Sequence, residues 1–182
     1  MSSQSNDYEI ALESWLIENR LKYVAVDQQK RNHFARNSVK SFDFLLYNNR
    51  AGLCPDAADM IVAEVKGRLY KGTNFASLSG LQNWVTQDDV IGLEDWQSVL
   101  QESSARQKVE AVFVFAYRFE KIDVETDGRA TYDFCDNRYA FLAVKLDDYR
   151  KLMKVRSPKW KTFSVPAADF RQIAKPLGQF LL

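Results

Sequence analysis

Apolar residues recur at three- and four-residue spacing over Asp7 to Leu21, where Tyr8, Ala11, Leu12, Trp15 and Leu16 make one stripe. This pattern predicts an amphipathic helix, with Asn6 or Asp7 able to cap its start. Past Lys22 the period changes. Tyr23-Val24-Ala25-Val26 reads as a strand, as do Ser41-Phe42-Asp43-Phe44-Leu45-Leu46 and Ile61-Val62-Ala63-Glu64-Val65-Lys66-Gly67-Arg68. Turn residues Asn48, Asn49, Gly52 and Pro55 separate the last two. A hairpin about Gly52-Leu53-Cys54 pairs residues whose numbers sum to 107, so Asp43 lies opposite Glu64. Strand side chains alternate faces, which puts Lys66 on the face of Glu64.

Downstream, Thr86-Gln87-Asp88-Asp89 has the form of a helix start, with Thr86 as cap and an acid three residues on. The helix is expected to run to about Gln101 with Val90, Leu93, Trp96, Val99 and Leu100 inward. Val109 to Phe119 is β-branched and aromatic enough for a central strand. Thr131–Phe134 and Arg138–Val144 flank Asp136-Asn137, a hairpin turn. Short helices are expected over Leu146–Met153 and, between Pro166 and Pro176, over about Ala167–Ala174. Two stretches read as basic connections: Asp27 to Lys40, with Lys30, Arg31, His33 and Arg36, and a mobile segment in which Lys66, Arg68 and Lys71 alternate with Gly67 and Gly72.

Composition narrows the class. The 182 residues suit a single α/β domain, a core of about 7–145 with a helical extension of about 146–182. A chain 46% hydrophobic and 13% aromatic is not disordered. Its net charge of +1 gives no bulk attraction to nucleic acid, so any basic surface must be local. Cys54 and Cys135 are far apart and form no ligand pattern, and the lone His33 makes no zinc motif. Reduced thiols, a start without signal-peptide regions and no apolar run near ~20 residues lead to the expectation of a cytoplasmic protein off the membrane.

The chemistry lies in the charged residues of the two facing strands. Glu-x-Lys on one strand face is common at solvated edges. Here, however, Glu64 follows Met60-Ile61-Val62-Ala63 and Asp43 is flanked by Phe42 and Phe44, as in a central strand. Two carboxylates and an ammonium are costly there unless a divalent cation uses them. Cleaving a phosphodiester requires an activated water and neutralised phosphoryl oxygens, which Mg²⁺ (or Mn²⁺) held by one or two carboxylates provides. Asp43 and Glu64 would be direct ligands, the Val65 carbonyl a third, and Lys66 would orient or deprotonate water. Glu9 or Glu13, on one side of the first helix, would supply a further acid. They stand only about 40° apart around it. Arg31, Lys40, Arg68 and Lys71, with Arg156, Lys159 and Lys161 in the tail, are candidate phosphate contacts, and Trp160 either stacks on a base or caps the core. No zinc finger or helix-turn-helix is present in the sequence, so base-specific readout is not indicated.

A helix with Glu9/Glu13, a strand, Asp43 on a second strand and Glu64-Val65-Lys66 on a third resembles the PD-(D/E)xK nuclease superfamily. The resemblance implies a restriction-endonuclease-like fold, a central mixed sheet flanked by helices, with Mg²⁺ dependence and DNA as substrate in repair, recombination or defence. Counting back from Trp15-Leu16 against such nucleases favours Glu9 slightly over Glu13. More narrowly, Asp7-Tyr8-Glu9-Ile10-Ala11-Leu12-Glu13, Phe42-Asp43-Phe44, Glu64-Val65-Lys66-Gly67-Arg68, Asn83-Trp84-Val85-Thr86 and Arg156-Ser157-Pro158-Lys159-Trp160 resemble the HYExAFE proteins of bacteria. Asp7 stands where that signature has His, and Leu12 where it has Phe. Phe42, not proline, precedes Asp43. A literal Pro-Asp occurs at Pro55-Asp56, but eight residues from Glu64 in the hairpin is about 25 Å, too far to share an ion. The rival reading is a non-catalytic nucleic-acid-binding or scaffold protein on the same fold, as monomer or homodimer. A small-molecule enzyme ranks last, since the chain has no Gly-rich phosphate loop or nucleophile motif.

Overall fold

A computed structural model describes residues 5–26, 40–48, 57–104, 106–121 and 123–181. Arg31, His33, the turn at Gly52–Cys54 and Pro55-Asp56 lie outside the described residues. In chain order the elements are α1 (Ser5–Glu18), β1 (Tyr23–Ala25), β2 (Phe44–Tyr47), β3 (Met60–Tyr70), β4 (Val85–Thr86), α2 (Gln87–Ser103) and β5 (Val109–Phe119). They continue with β6 (Tyr132–Phe134), β7 (Asn137–Lys145), α3 (Leu146–Leu152), β8 (Lys154–Ser157), β9 (Thr162–Ser164), α4 (Ala167–Ile173), β10 (Lys175–Pro176) and α5 (Gly178–Leu181).

The fold is mixed α/β around a central mixed sheet with strand order β1-β2-β3-β5-β7-β10, in which β6 also pairs with β7. Among the described strands only β3 and β5 run parallel, over Met60↔Val109 to Tyr70↔Phe119. They are the longest strands, and Val112, Phe113, Val114, Phe115 and Ala116 are fully buried because helices cover both faces. On one face α2, α3 and α4 pack Leu93, Tyr149 and Phe170 against Val62, Phe113 and Phe115. On the other, α1 lays Ala11, Leu12 and Leu16 over Ile61, Ala63 and Val114, and Leu177 and Leu181 complete that layer. A smaller sheet, β4-β9-β8, stands beside the start of α2. Among the described residues, no helix is long and apolar enough to cross a membrane.

β2 and β3 are antiparallel with Phe44↔Ala63, Leu45↔Val62, Leu46↔Ile61 and Tyr47↔Met60, the register that sums to 107. The capping box of α2 is formed: Thr86 accepts from the Asp89 amide at 3.1 Å, and Asp89 accepts from the Thr86 amide at 2.8 Å. Other expectations are corrected. Residues 66–70 are not a mobile connection but the second half of β3, because β5 supplies a full parallel ladder for them. Val99 is 51% exposed, on the solvent side of α2. The β6–β7 turn is Cys135-Asp136 rather than Asp136-Asn137; both residues have positive φ (46° and 59°), as a two-residue hairpin of this twist requires. The tail is not simply helical, since β8 and β9 form a hairpin there. Asn6 and Asp7 fall inside α1, which begins at Ser5.

Gly67 allows α1 to approach β3. A Cβ there would stand 2.4 Å from the Tyr8 ring. Gly67→Ala must therefore push back the helix that carries Glu9, and is expected to cost about 1–3 kcal/mol. Urea unfolding of the variant measures this; an unchanged midpoint would show that the helix–strand contact yields freely.

Candidate functional site

β2 pairs with only the first four residues of β3, so Glu64 and the residues after it have lost that neighbour. Asp43, one residue before β2, occupies the break. Its amide donates to the Ala63 carbonyl at 3.0 Å, and its carboxylate takes over the next ladder position, accepting from the Val65 amide at 2.7 Å. Asp43 and Glu64 are each 5% exposed. On β3, Ile61, Ala63 and Val65 face α1, whereas Met60 and Val62 face α2. Continuing the alternation sends Glu64 and Lys66 toward the start of α2.

There they meet Asp89, which sequence reading left as a capping residue. Asp89 is 3% exposed. Its Oδ1 lies 3.0 Å from Lys66 Nζ and also contacts Lys40 Nζ. Glu64 Oε1 accepts from Lys66 at 2.7 Å and from Lys40 at 3.0 Å. Two buried carboxylates thus share two ammonium groups. The sequence marked Asp89 only through its place in the Thr86 capping box. Lys40 belongs to this cluster, with its side chain still 39% exposed. Gly92 gives its backbone room: a Cβ there would come 2.8 Å from the Lys40 carbonyl, which also accepts from Trp96 Nε1 at 3.0 Å.

The cluster opens into a pocket of about 490 Å³ lined by Tyr8, Glu9, Lys40, Val65, Lys66, Gly67, Arg68, Trp84, Thr86 and Asp89. Of the two helix acids, Glu9 reaches it. Glu13 is turned away and accepts from Tyr23 Oη at 2.9 Å. Burial, with the charges of Asp43 and Glu64 added, pushes the Glu9 carboxyl up to about 7, against a smaller lowering by Lys66. Burial lowers the Lys66 ammonium, although Glu64 acts in the opposite direction.

Because Glu9 is raised in the fold, from 4.5 to about 7, its contribution to stability is complete below pH 4.5 and is lost as pH rises through 7. Glu9→Gln is therefore expected to stabilise the protein at pH 8, by about 1–2 kcal/mol once partial exposure is discounted, and to leave it unchanged at pH 4.5. Thermal melts at the two pH values test this. A variant no more stable than wild type at pH 8 would remove the crowded-carboxylate account.

The remaining candidates are spread out. Arg68 lines the pocket, while Arg156 lies over the Trp84 ring at its rim. Lys159, Trp160 and Lys161 form the tip of the β8–β9 hairpin, held to α2 by the Gln87 amide donating to the Lys161 carbonyl at 2.8 Å. Lys71 is exposed beyond the end of β3, 3.9 Å from Glu120 and outside the pocket. A larger cleft of about 820 Å³ opens elsewhere, among Trp15, Tyr139, Phe141 and Lys175–Gln179. Its Arg129 donates from Nε and Nη2 to the Ala76 carbonyl, at 3.2 and 3.0 Å.

Two carboxylates with retained waters suit Mg²⁺; here Asp43 and Glu64 are both buried, and Oε1 of Glu64 already accepts from two ammonium groups. Among the described residues, no group of three His, Cys, Asp or Glu side chains is placed to hold an ion. No family model, curated protein or solved structure matches the chain.

Proposed function

We propose that this protein is a metal-dependent nuclease of the PD-(D/E)xK type, with a restriction-endonuclease-like fold, that hydrolyses phosphodiester bonds in DNA. The observation that supports the reading is the convergence of buried Asp43 and Glu64 with Lys66, which bonds Glu64 and lines the pocket, and with Glu9, which lines the same pocket from the opposite layer and feels both carboxylates. Apolar residues would suit the middle of a central strand better than Glu64 and Lys66, so these charges point to use.

Asp43 and Glu64, with the Val65 carbonyl, would hold Mg²⁺ or Mn²⁺. Such an ion supplies charge neutralisation at the phosphoryl group and a more acidic water. The chain's own groups then have distinct tasks. The Val65 amide fixes the rotamer of Asp43. Lys66, lowered by burial, is suited to hold an attacking water. Glu9, ionising near 7, can accept a hydrogen bond from a water or take up a proton. In this reading Lys40 and Asp89 position Lys66 and Glu64.

A magnesium titration with single-stranded and duplex DNA, comparing wild type with Asp43→Asn and Lys66→Ala, tests the reading. Metal-dependent cleavage lost in both variants is the expected result. DNA bound but left uncut in Mg²⁺ and Mn²⁺ would favour the rival, a binding protein on this fold.

A further inference from the structure

Arg68 is the cation of the pocket that has no anion. Its Nη1 donates to the Gly67 carbonyl at 2.7 Å and its Nη2 to the Trp84 carbonyl, while Nε is buried with no hydrogen-bond partner among the described residues. No carboxylate pairs with it among those residues. Burial disfavours its charge, Tyr117 and Tyr149 act in the opposite direction, and a second cation beside it, Arg156, adds to the lowering. Both guanidinium groups lie over one ring, 4.2 Å and 5.2 Å from the centroid of Trp84. Two like charges gathered on one indole, one of them largely buried, are uncompensated as they stand. A carboxylate or a phosphate is the ligand that guanidinium forks match.

The location narrows the anion. Arg68 and Trp84 line the same pocket as Glu9, Lys66 and Asp89. Trp84 also borders an adjoining hollow of about 220 Å³ that contains Arg156. From Arg156 the β8–β9 hairpin leads to Trp160, which is 70% exposed with the Lys159 ammonium 5.5 Å from its ring centroid. An uncovered indole between lysines, next to a pair of arginines, has the composition of a stacking platform along a phosphate track. A duplex keeps its base faces covered; a single strand offers them.

We propose that Arg68 and Arg156, gathered on Trp84, hold a backbone phosphate of a single-stranded nucleic acid, and that Trp160 stacks one of its bases. The assignment rests on the nuclease reading and names its substrate class. The anion occupies the Trp84 rim, adjacent to the carboxylate cluster, so the strand runs from the cluster toward the hairpin tip.

Fluorescence anisotropy of the full chain in EDTA tests this without cleavage. The probes are a labelled 20-nucleotide single strand and its duplex, with inorganic phosphate as competitor. The single strand is expected to bind more tightly than the duplex. Arg156→Gln and Trp160→Ala, both at exposed positions, are each expected to weaken it about tenfold. Arg156→Gln should also reduce the salt dependence by about one phosphate contact. Strand binding unaffected by either variant overturns the inference and leaves the nuclease reading in place. Tighter binding of the duplex overturns the single-strand assignment. Displacement of the strand by micromolar phosphate would make the site one for the free anion. Binding as expected, with no cleavage in any metal, would fell the nuclease reading alone. No binding of either nucleic acid would fell both.

Discussion

Lys66→Ala is expected to lower metal-dependent cleavage by about 10²–10⁴-fold, the range for losing a group that handles a proton in the transition state. The side chain sits 2.7 Å from Glu64 and 3.0 Å from Asp89, and burial holds its ammonium below the ordinary lysine range. Its removal also leaves two buried carboxylates with Lys40 alone, whose side chain is 39% exposed. Stability should therefore fall together with activity. Circular dichroism at the assay temperature separates the two effects, and Lys66→Met, which keeps the buried stem, provides a second variant. A folded Lys66→Met protein that cleaves at the wild-type rate would exclude Lys66 from the chemistry.

Asp89→Ala is expected to be the most destabilising single substitution in the cluster, at about 3–5 kcal/mol, because it takes a buried partner from both lysines. The capping box goes with it, since Asp89 also accepts from the Thr86 amide. Loss of a cap alone costs about 1 kcal/mol. Asp89→Asn can still accept that bond but carries no charge, and so should fall between Asp89→Ala and wild type. Urea unfolding of the three proteins gives the comparison. If Asp89→Ala costs no more than a cap, the buried ion pairs do not hold the sheet to α2.

Several parts of this architecture were legible locally. The β2–β3 register followed from centring the hairpin on Gly52-Leu53-Cys54, and alternation agrees with it, because a slip of one residue would send Phe44 and Leu46 to the wrong face. The start of α2 followed from Thr86 and Asp89, whose mutual hydrogen bonds depend on residues three apart. Other parts were not. The pairing of residues 66–70 with β5 joins segments about 50 positions apart, and nothing local distinguishes such a strand from a basic loop with two glycines. Glu9 and Glu13 were close to equivalent around α1; which one reaches the pocket depends on the approach of Tyr8 to Gly67. The hairpin that carries Trp160 was hidden because its partner, β4, is two residues long.

By itself the sequence determined which residues could alternate, cap and pair, and therefore that Glu64 and Lys66 would share a face, with Asp43 on the neighbouring segment. Those properties repeat every two to four residues and need no distant partner. Tertiary structure alone decided that Asp89 and Lys40 would close the ion cluster, that Glu9 would be driven to about 7, and that Arg68 would lie on Trp84 with no anion among the described residues. Each of these is set by burial and by charges from other elements, which act through space and leave no periodic trace along the chain.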